Sequence, residues 1–141
     1  MTAAEYNRKD SREDVIRIVE YVRDHVFDLD AVDITRFLRR RNRTQDEEWS
    51  KSAQFVMQYD IHNEDVRNCM AELTVEQYST TSVKDGCPDA YVFGVHMPEI
   101  IESNPEIYLK FQINDGFFIV TIHESDWQMD YPYSLNRGEQ Q

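Results

Sequence analysis

Ile107-Tyr108-Leu109-Lys110-Phe111-Gln112-Ile113 is followed by Asn114-Asp115-Gly116 and then by Phe117-Phe118-Ile119-Val120-Thr121-Ile122-His123. The first run alternates strictly. Ile107, Leu109, Phe111 and Ile113 fall on one side, and Tyr108, Lys110 and Gln112 fall on the other, which is the period of a half-buried strand. Asn114, Asp115 and Gly116 tolerate positive φ, and the β-branched and aromatic run after them is too short for a typical helix. The stretch therefore reads as a β-hairpin. Because side chains alternate, Tyr108, Lys110 and Gln112 should leave the sheet together, opposite the aliphatic core, with one set from the second strand beside them. Chemistry is expected on that face.

Upstream of the hairpin, Tyr91-Val92-Phe93-Gly94-Val95 is a further candidate strand. Pro98 and Ser103-Asn104-Pro105 separate it from Ile107. Before it, the polar run Ser79-Thr80-Thr81-Ser82 leads into Lys84-Asp85-Gly86-Cys87-Pro88, a loop by composition. The first half of the chain has a different period. Val15, Ile18, Val19, Val22 and Val26 recur at helical spacing, so a helix is expected over about Arg12 to Phe27, capped by Asp10 or Ser11 and carrying Glu13 and Asp14 at its positive end. Asp33 can cap a second helix through Ile34, Phe37 and Leu38 into a run of arginines. A third uses Trp49, Ala53, Val56 and Met57, and a fourth starts at Asn63-Glu64-Asp65 with Val66, Met70 and Leu73 inward. The expected fold is α+β: a helical N-terminal half packed on a small antiparallel sheet of three or more strands. Residues 1–141 read as a single domain, with 1–9 and 136–141 as loose tails. After His123, the aromatics and proline of Trp127 to Tyr133 suggest an ordered strap across the sheet.

Charge narrows the function classes. The formal net charge is −12, and Asp85 to Asp130 holds nine acids against Lys110 alone, a local net of −8. Such a surface argues against a bare nucleic-acid-binding protein and fits a basic partner better. The opposite extreme is Arg36, Arg39, Arg40, Arg41 and Arg43. These can form a solvated helix face paired with nearby acids, an RNA backbone clamp, or a docking site for an acidic partner. Cys69 and Cys87 form no Cys-x-x-Cys pair, and no His stands at finger spacing, so neither a disulfide scaffold nor a metal site is indicated. With no apolar run long enough to span a bilayer and a polar, charged N-terminus, the expectation is a cytoplasmic protein without a membrane partner and without a cofactor.

The C-terminal half carries a resemblance. Leu73-Thr74-Val75-Glu76-Gln77-Tyr78, Tyr91-Val92-Phe93-Gly94, Ile107-Tyr108-Leu109-Lys110 and Val120-Thr121-Ile122-His123 leading to Tyr131-Pro132-Tyr133 resemble, in order and spacing, the MqsR-like toxins of bacterial toxin-antitoxin systems. The resemblance implies a RelE-type ribonuclease fold, metal-independent cleavage of mRNA, and an antitoxin protein as partner. In such chemistry a 2′-hydroxyl attacks the neighbouring phosphate, so a proton acceptor, a proton donor and cations are needed. Carried over to this sequence, Lys110 would stabilise the phosphate and Tyr108 would hydrogen-bond it or stack a base. His123 would shuttle the proton, suitably for an imidazole, which titrates near neutrality. Tyr91, with Arg39, Arg40 and Arg41, would contact RNA or a partner. The sequence also departs from that family. Ser79-Thr80-Thr81 stands where the better-known toxins place a lysine, and His123 replaces their basic residue at the strand end. Fewer cations imply weakened or lost activity.

Plainer readings stand beside these. Tyr108 and Lys110 also suit the solvent face of an amphipathic strand, and His123 suits a hydrogen-bonding strand end. The alternative function is a non-enzymatic acidic binding protein, such as a phage-encoded inhibitor or nucleic-acid mimic, occupying the basic surface of a nucleic-acid-binding partner.

Overall fold

The computed structural model describes residues 5–28, 32–33, 47–114 and 116–134. Among these, β1 (Glu5–Arg8) precedes α1 (Arg12–His25), β2 (Val32–Asp33), α2 (Glu47–Gln58) and α3 (Asn63–Ala71). A 3-10 turn at Val75–Gln77 then leads into β3 (Tyr78–Lys84), β4 (Ala90–Val95), β5 (Ile107–Asn114) and β6 (Phe117–Glu124). The strands form one sheet in the order β1-β3-β4-β5-β6-β2. Five of them run antiparallel to their neighbours, and β2 adds a two-residue parallel pairing to β6. This is an α+β fold, with helices mostly in the first half and the sheet mostly in the second.

The hairpin forms as its alternation dictates. Leu109 pairs with Ile122 and Phe111 with Val120, while Tyr108 pairs with His123 and Lys110 with Thr121. Gly116 holds φ +80°, a value that L side chains rarely adopt, which lets the chain reverse in two residues. Ile107, Leu109, Phe111, Val120 and Ile122 are all fully buried in one cluster with Val15, Val19 and Val22 of α1 and Val66 and Met70 of α3. Phe111 stacks on Phe93 of β4, and Phe118 meets it edge-on.

Helix boundaries follow local chemistry. Ser11 caps α1, its Oγ accepting from the Asp14 amide at 3.1 Å. At α3 the Asp65 carboxylate accepts the His62 amide at 2.9 Å. In α2 the inward residues are Ser52, Phe55 and Val56, whereas Met57, expected inward, is 68% exposed. At 100° per residue, Met57 lies 200° from Phe55, and the larger ring takes the core position. The expected helix through Ile34, Phe37 and Leu38 lies outside the described residues, as does the 136–141 tail, and Asp33, expected to cap that helix, is the second residue of β2.

Besides the two-residue β2, two longer strands were not legible. Residues 5–8, expected as part of a loose tail, pair with Thr81–Lys84 as an edge strand. The polar run at 79–82 is the middle of β3. Both depend on a buried polar group. The Asp10 carboxylate, 10% exposed, accepts from Arg8 Nε at 2.7 Å and from Thr81 Oγ1 at 2.6 Å. Thr81 is fully buried and also shares a 2.6 Å hydrogen bond with Tyr78 Oη. A threonine on a sheet interior is acceptable only when its hydroxyl is satisfied, and Asp10 satisfies it from 71 residues away.

The second face of the sheet is also covered. After β6 the chain returns as a strap, with Met129 buried and the Tyr131 ring lying on Gly94. Tyr131 Oη donates to Glu106, which also accepts the Met129 amide at 3.3 Å. The strap ends with Tyr133 stacked on Tyr78, its hydroxyl donating to the Asp10 carbonyl at 2.6 Å. A Cβ at position 94 would sit 1.8 Å from Tyr131 Oη. Gly94→Ala should therefore cost about 1–3 kcal/mol in denaturant unfolding, the usual range for overpacking, and should be near neutral in a Tyr131→Ala background. Equal losses in both backgrounds would show that Tyr131 is not the obstacle.

Candidate functional site

Three of the sequence-selected residues meet. Gly94, Tyr108 and His123 form one row across β4, β5 and β6, and Val92, Lys110 and Thr121 form the next. The Tyr108 and His123 rings lie nearly parallel, interplanar angle 10°, with centroids 4.8 Å apart. Lys110 stands two residues along the same strand face, about 7 Å away at the repeat of an extended chain. Tyr108 and Lys110 are half-buried, whereas His123 is only 5% exposed.

His123 is held in a defined state. Its Nδ1 lies 2.8 Å from the Glu124 carbonyl oxygen. A carbonyl only accepts, so Nδ1 carries the proton and Nε2 is the nitrogen left to exchange one. The imidazole also lines a cleft of about 320 Å³ between α2 and the end of β6, together with Lys51, Gln54, Gln58, Glu124 and Asp126. That volume is at the lower end of small-ligand sites.

Two links tie α2 to this end of β6. Lys51 forms an ion pair with Asp126, and Tyr59 Oη donates to Glu124 at 3.0 Å. The Lys51 ammonium, aided by the field of His123, holds the Asp126 carboxyl below the usual aspartate range, and hydrogen bonding to Glu124 raises the Tyr59 hydroxyl. The cleft and the strand face beside it thus set Lys51 and Lys110 against Glu124 and Asp126. The site can move a proton and hold an oxyanion, but its local formal charge is balanced.

Tyr91, expected to contact RNA or a partner, is not part of this group. It pairs with Phe111 across β4 and β5 and so points to the helix-covered face, at the margin of the core. The alternation that selected Tyr108 also excludes Tyr91. Burial, with Asp89 and Asp10 nearby, raises its hydroxyl. Arg39, Arg40 and Arg41 lie outside the described residues. Among the described residues no group of three or more His, Cys, Asp or Glu side chains is placed to hold a metal ion, and no helix is long and apolar enough to cross a membrane. Burial, with Glu72 and Glu99 adding to it, pushes the Cys69 thiol up to about 12, so it stays unreactive.

Lys51, Glu124 and Asp126 were missed by sequence reasoning. Their one local signal was a polar stripe, Lys51, Gln54 and Gln58, beside the apolar stripe of α2. Comparison with protein-family models, with curated proteins and with solved structures gave no match.

The Lys51–Asp126 pair has a pH signature. Asp126 should titrate below the ordinary aspartate value of about 3.9 by carbon-detected NMR, and Lys51→Met should return it toward that value. Because the native state favours the charged carboxylate, this link contributes at neutral pH and is lost as pH falls through the depressed value. Both groups are well exposed, so the contribution to stability is small. An unchanged midpoint in Lys51→Met would show that the ion pair does not form in solution.

Proposed function

We propose that this protein is a toxin-like, metal-independent endoribonuclease of the MqsR-like kind, an mRNA interferase acting in the cytoplasm and restrained by an antitoxin protein. The observation that carries this reading is the convergence of Tyr108, Lys110 and His123 in adjacent rows of one sheet face, with His123 also lining the cleft. Nε2 of His123 takes the proton of an RNA 2′-hydroxyl. The oxygen attacks the adjacent phosphorus, a 2′,3′-cyclic phosphate forms, and the bond to the 5′-oxygen breaks. The proton held by His123 then passes to that 5′-oxygen. Lys110 offsets the charge on the non-bridging oxygens, and Tyr108 holds the imidazole plane by stacking on it while its hydroxyl hydrogen-bonds the phosphate. The rate is modest, because Glu124 and Asp126 oppose the two lysines.

An acidic binding role has its own support. Glu99 and Glu102 are exposed on the loop between β4 and β5, within the region of net charge −8. In this reading the loop occupies a basic surface of a nucleic-acid-binding partner. Glu106, the third acid of that loop, is committed to Tyr131 and Met129 and belongs to the strap.

His123 is buried, so truncation to alanine would confuse folding with chemistry. His123→Asn keeps a donor for the Glu124 carbonyl and removes Nε2. His123→Asn and Lys110→Ala should each reduce RNA cleavage at low salt about 10²- to 10⁴-fold and relieve growth arrest, with melting temperatures close to that of the parent. If neither variant changes cleavage or arrest, the catalytic assignment fails. Charge reversal at Glu99 and Glu102 should then weaken binding to a basic partner, with a steep salt dependence.

A further inference from the structure

Trp127 is 61% exposed, although its strap neighbours are packed: Met129 is buried and Tyr131 covers Gly94. Leaving the largest apolar side chain in water forfeits burial that the adjacent positions obtain. Its ring is nevertheless placed. The indole and Tyr108 meet in a T-shaped contact, interplanar angle 66° and centroids 6.3 Å apart, and Ser125 Oγ donates to the Trp127 carbonyl. A T-shaped contact with one ring, at 61% exposure, leaves most of the indole surface open to a ligand. Tyr108 in turn stacks on His123, so a row of three rings runs from the exposed indole to the cleft.

Electrostatics say what such a row would bind. Binding a phosphate backbone by charge needs an excess of cations, but here Lys51 is paired with Asp126, and the cleft carboxylate of Glu124 balances Lys110 in formal charge. Affinity must come from an uncharged interaction. Stacking on an aromatic face is one, and it is open only to a base whose own faces are free.

We propose that Trp127 is the stacking platform of this site and that it takes an unpaired nucleobase, so the substrate is single-stranded and base-paired nucleic acid is rejected. This rests on the ribonuclease reading for its purpose, though not for its test. The probe is a short single-stranded oligodeoxynucleotide, which lacks the 2′-hydroxyl and cannot be cleaved by this route. It should quench tryptophan fluorescence saturably, whereas the same sequence as a duplex should bind at least tenfold more weakly and inorganic tripolyphosphate should not quench. In Trp127→Phe the quench should vanish although Trp49 remains, and Trp127→Ala should weaken binding about 5- to 100-fold with an unchanged melting temperature.

Equal quenching by tripolyphosphate, equal binding of the duplex, or unchanged affinity in Trp127→Ala each overturns the proposal. Cleavage of the ribo-oligonucleotide separates this idea from the reading it serves. A parent that binds through Trp127 but never cleaves supports the stacking role and removes the ribonuclease. A parent that cleaves with the same KM as Trp127→Ala keeps the ribonuclease and removes the stacking role.

Discussion

The pairing of Leu109 with Ile122, and with it of Tyr108 with His123, decides which side chains of the sheet meet the helices and which meet the strap. A slip of one residue would exchange the two faces entirely, sending Lys110 and Tyr108 into the aliphatic cluster. Three constraints prevent that. The two-residue connection through Gly116 fixes the hairpin ends, the Phe93–Phe111–Phe118 packing fills one face, and Gly94 admits Tyr131 on the other. The register is thus specified from both sides, which is unusual for a sheet with only one aliphatic face.

That double specification changes the meaning of the second face. An amphipathic strand ordinarily turns its polar side chains to water. Here Val92, Gly94 and His123 on that side are buried, and Tyr108 and Lys110 are half-covered. A polar face that a strap partly closes is an environment in which water is reduced and charges interact more strongly. The strap is anchored at both ends by groups from elsewhere: Ser125 donates its amide to the Glu106 carbonyl at 2.9 Å, and Tyr133 reaches the Asp10 carbonyl. Asp10 also holds β1 and β3 together through Arg8 and Thr81. The N-terminal edge of the sheet and the cover over the candidate site therefore share one anchor.

The sequence made the hairpin, the α1 stripe and the inward set of α3 readable because each is a local period with its punctuation attached. Ile107 to Ile113 needed no partner to be recognised, and neither did the Asn-Asp-Gly turn. β1 and β3 were unreadable for the opposite reason. Glu5-Tyr6-Asn7-Arg8 has no apolar alternation, and Ser79 to Ser82 is polar throughout, so their pairing depends on Asp10, Thr81 and Tyr78 meeting across some seventy residues of chain. The candidate site divides the same way. Tyr108 and Lys110 share a strand face by alternation, and His123 joins them because the hairpin register is short-range. Lys51 and Asp126 are separated by 75 residues, and nothing in either local segment points to the other. Tyr91 shows the cost of choosing a residue by type: the parity that places Lys110 outward places Tyr91 on the core side.

The balance of charge bears on both functional readings at once. A protein of net charge −12 repels a polyanion at long range, so encounter with RNA gains nothing from steering and is slowed at low salt. At short range the repulsion is smaller, because Lys51 neutralises Asp126. Retaining one histidine with Nδ1 fixed and Nε2 left for proton exchange, stacked on the Tyr108 ring, is the arrangement proton transfer requires and an acidic decoy does not. An acidic decoy needs only the outer carboxylates of Glu99 and Glu102, which lie on a different loop. The two roles thus draw on separate residues of one scaffold. The ring row of Trp127, Tyr108 and His123 is the feature that the decoy role leaves without a purpose.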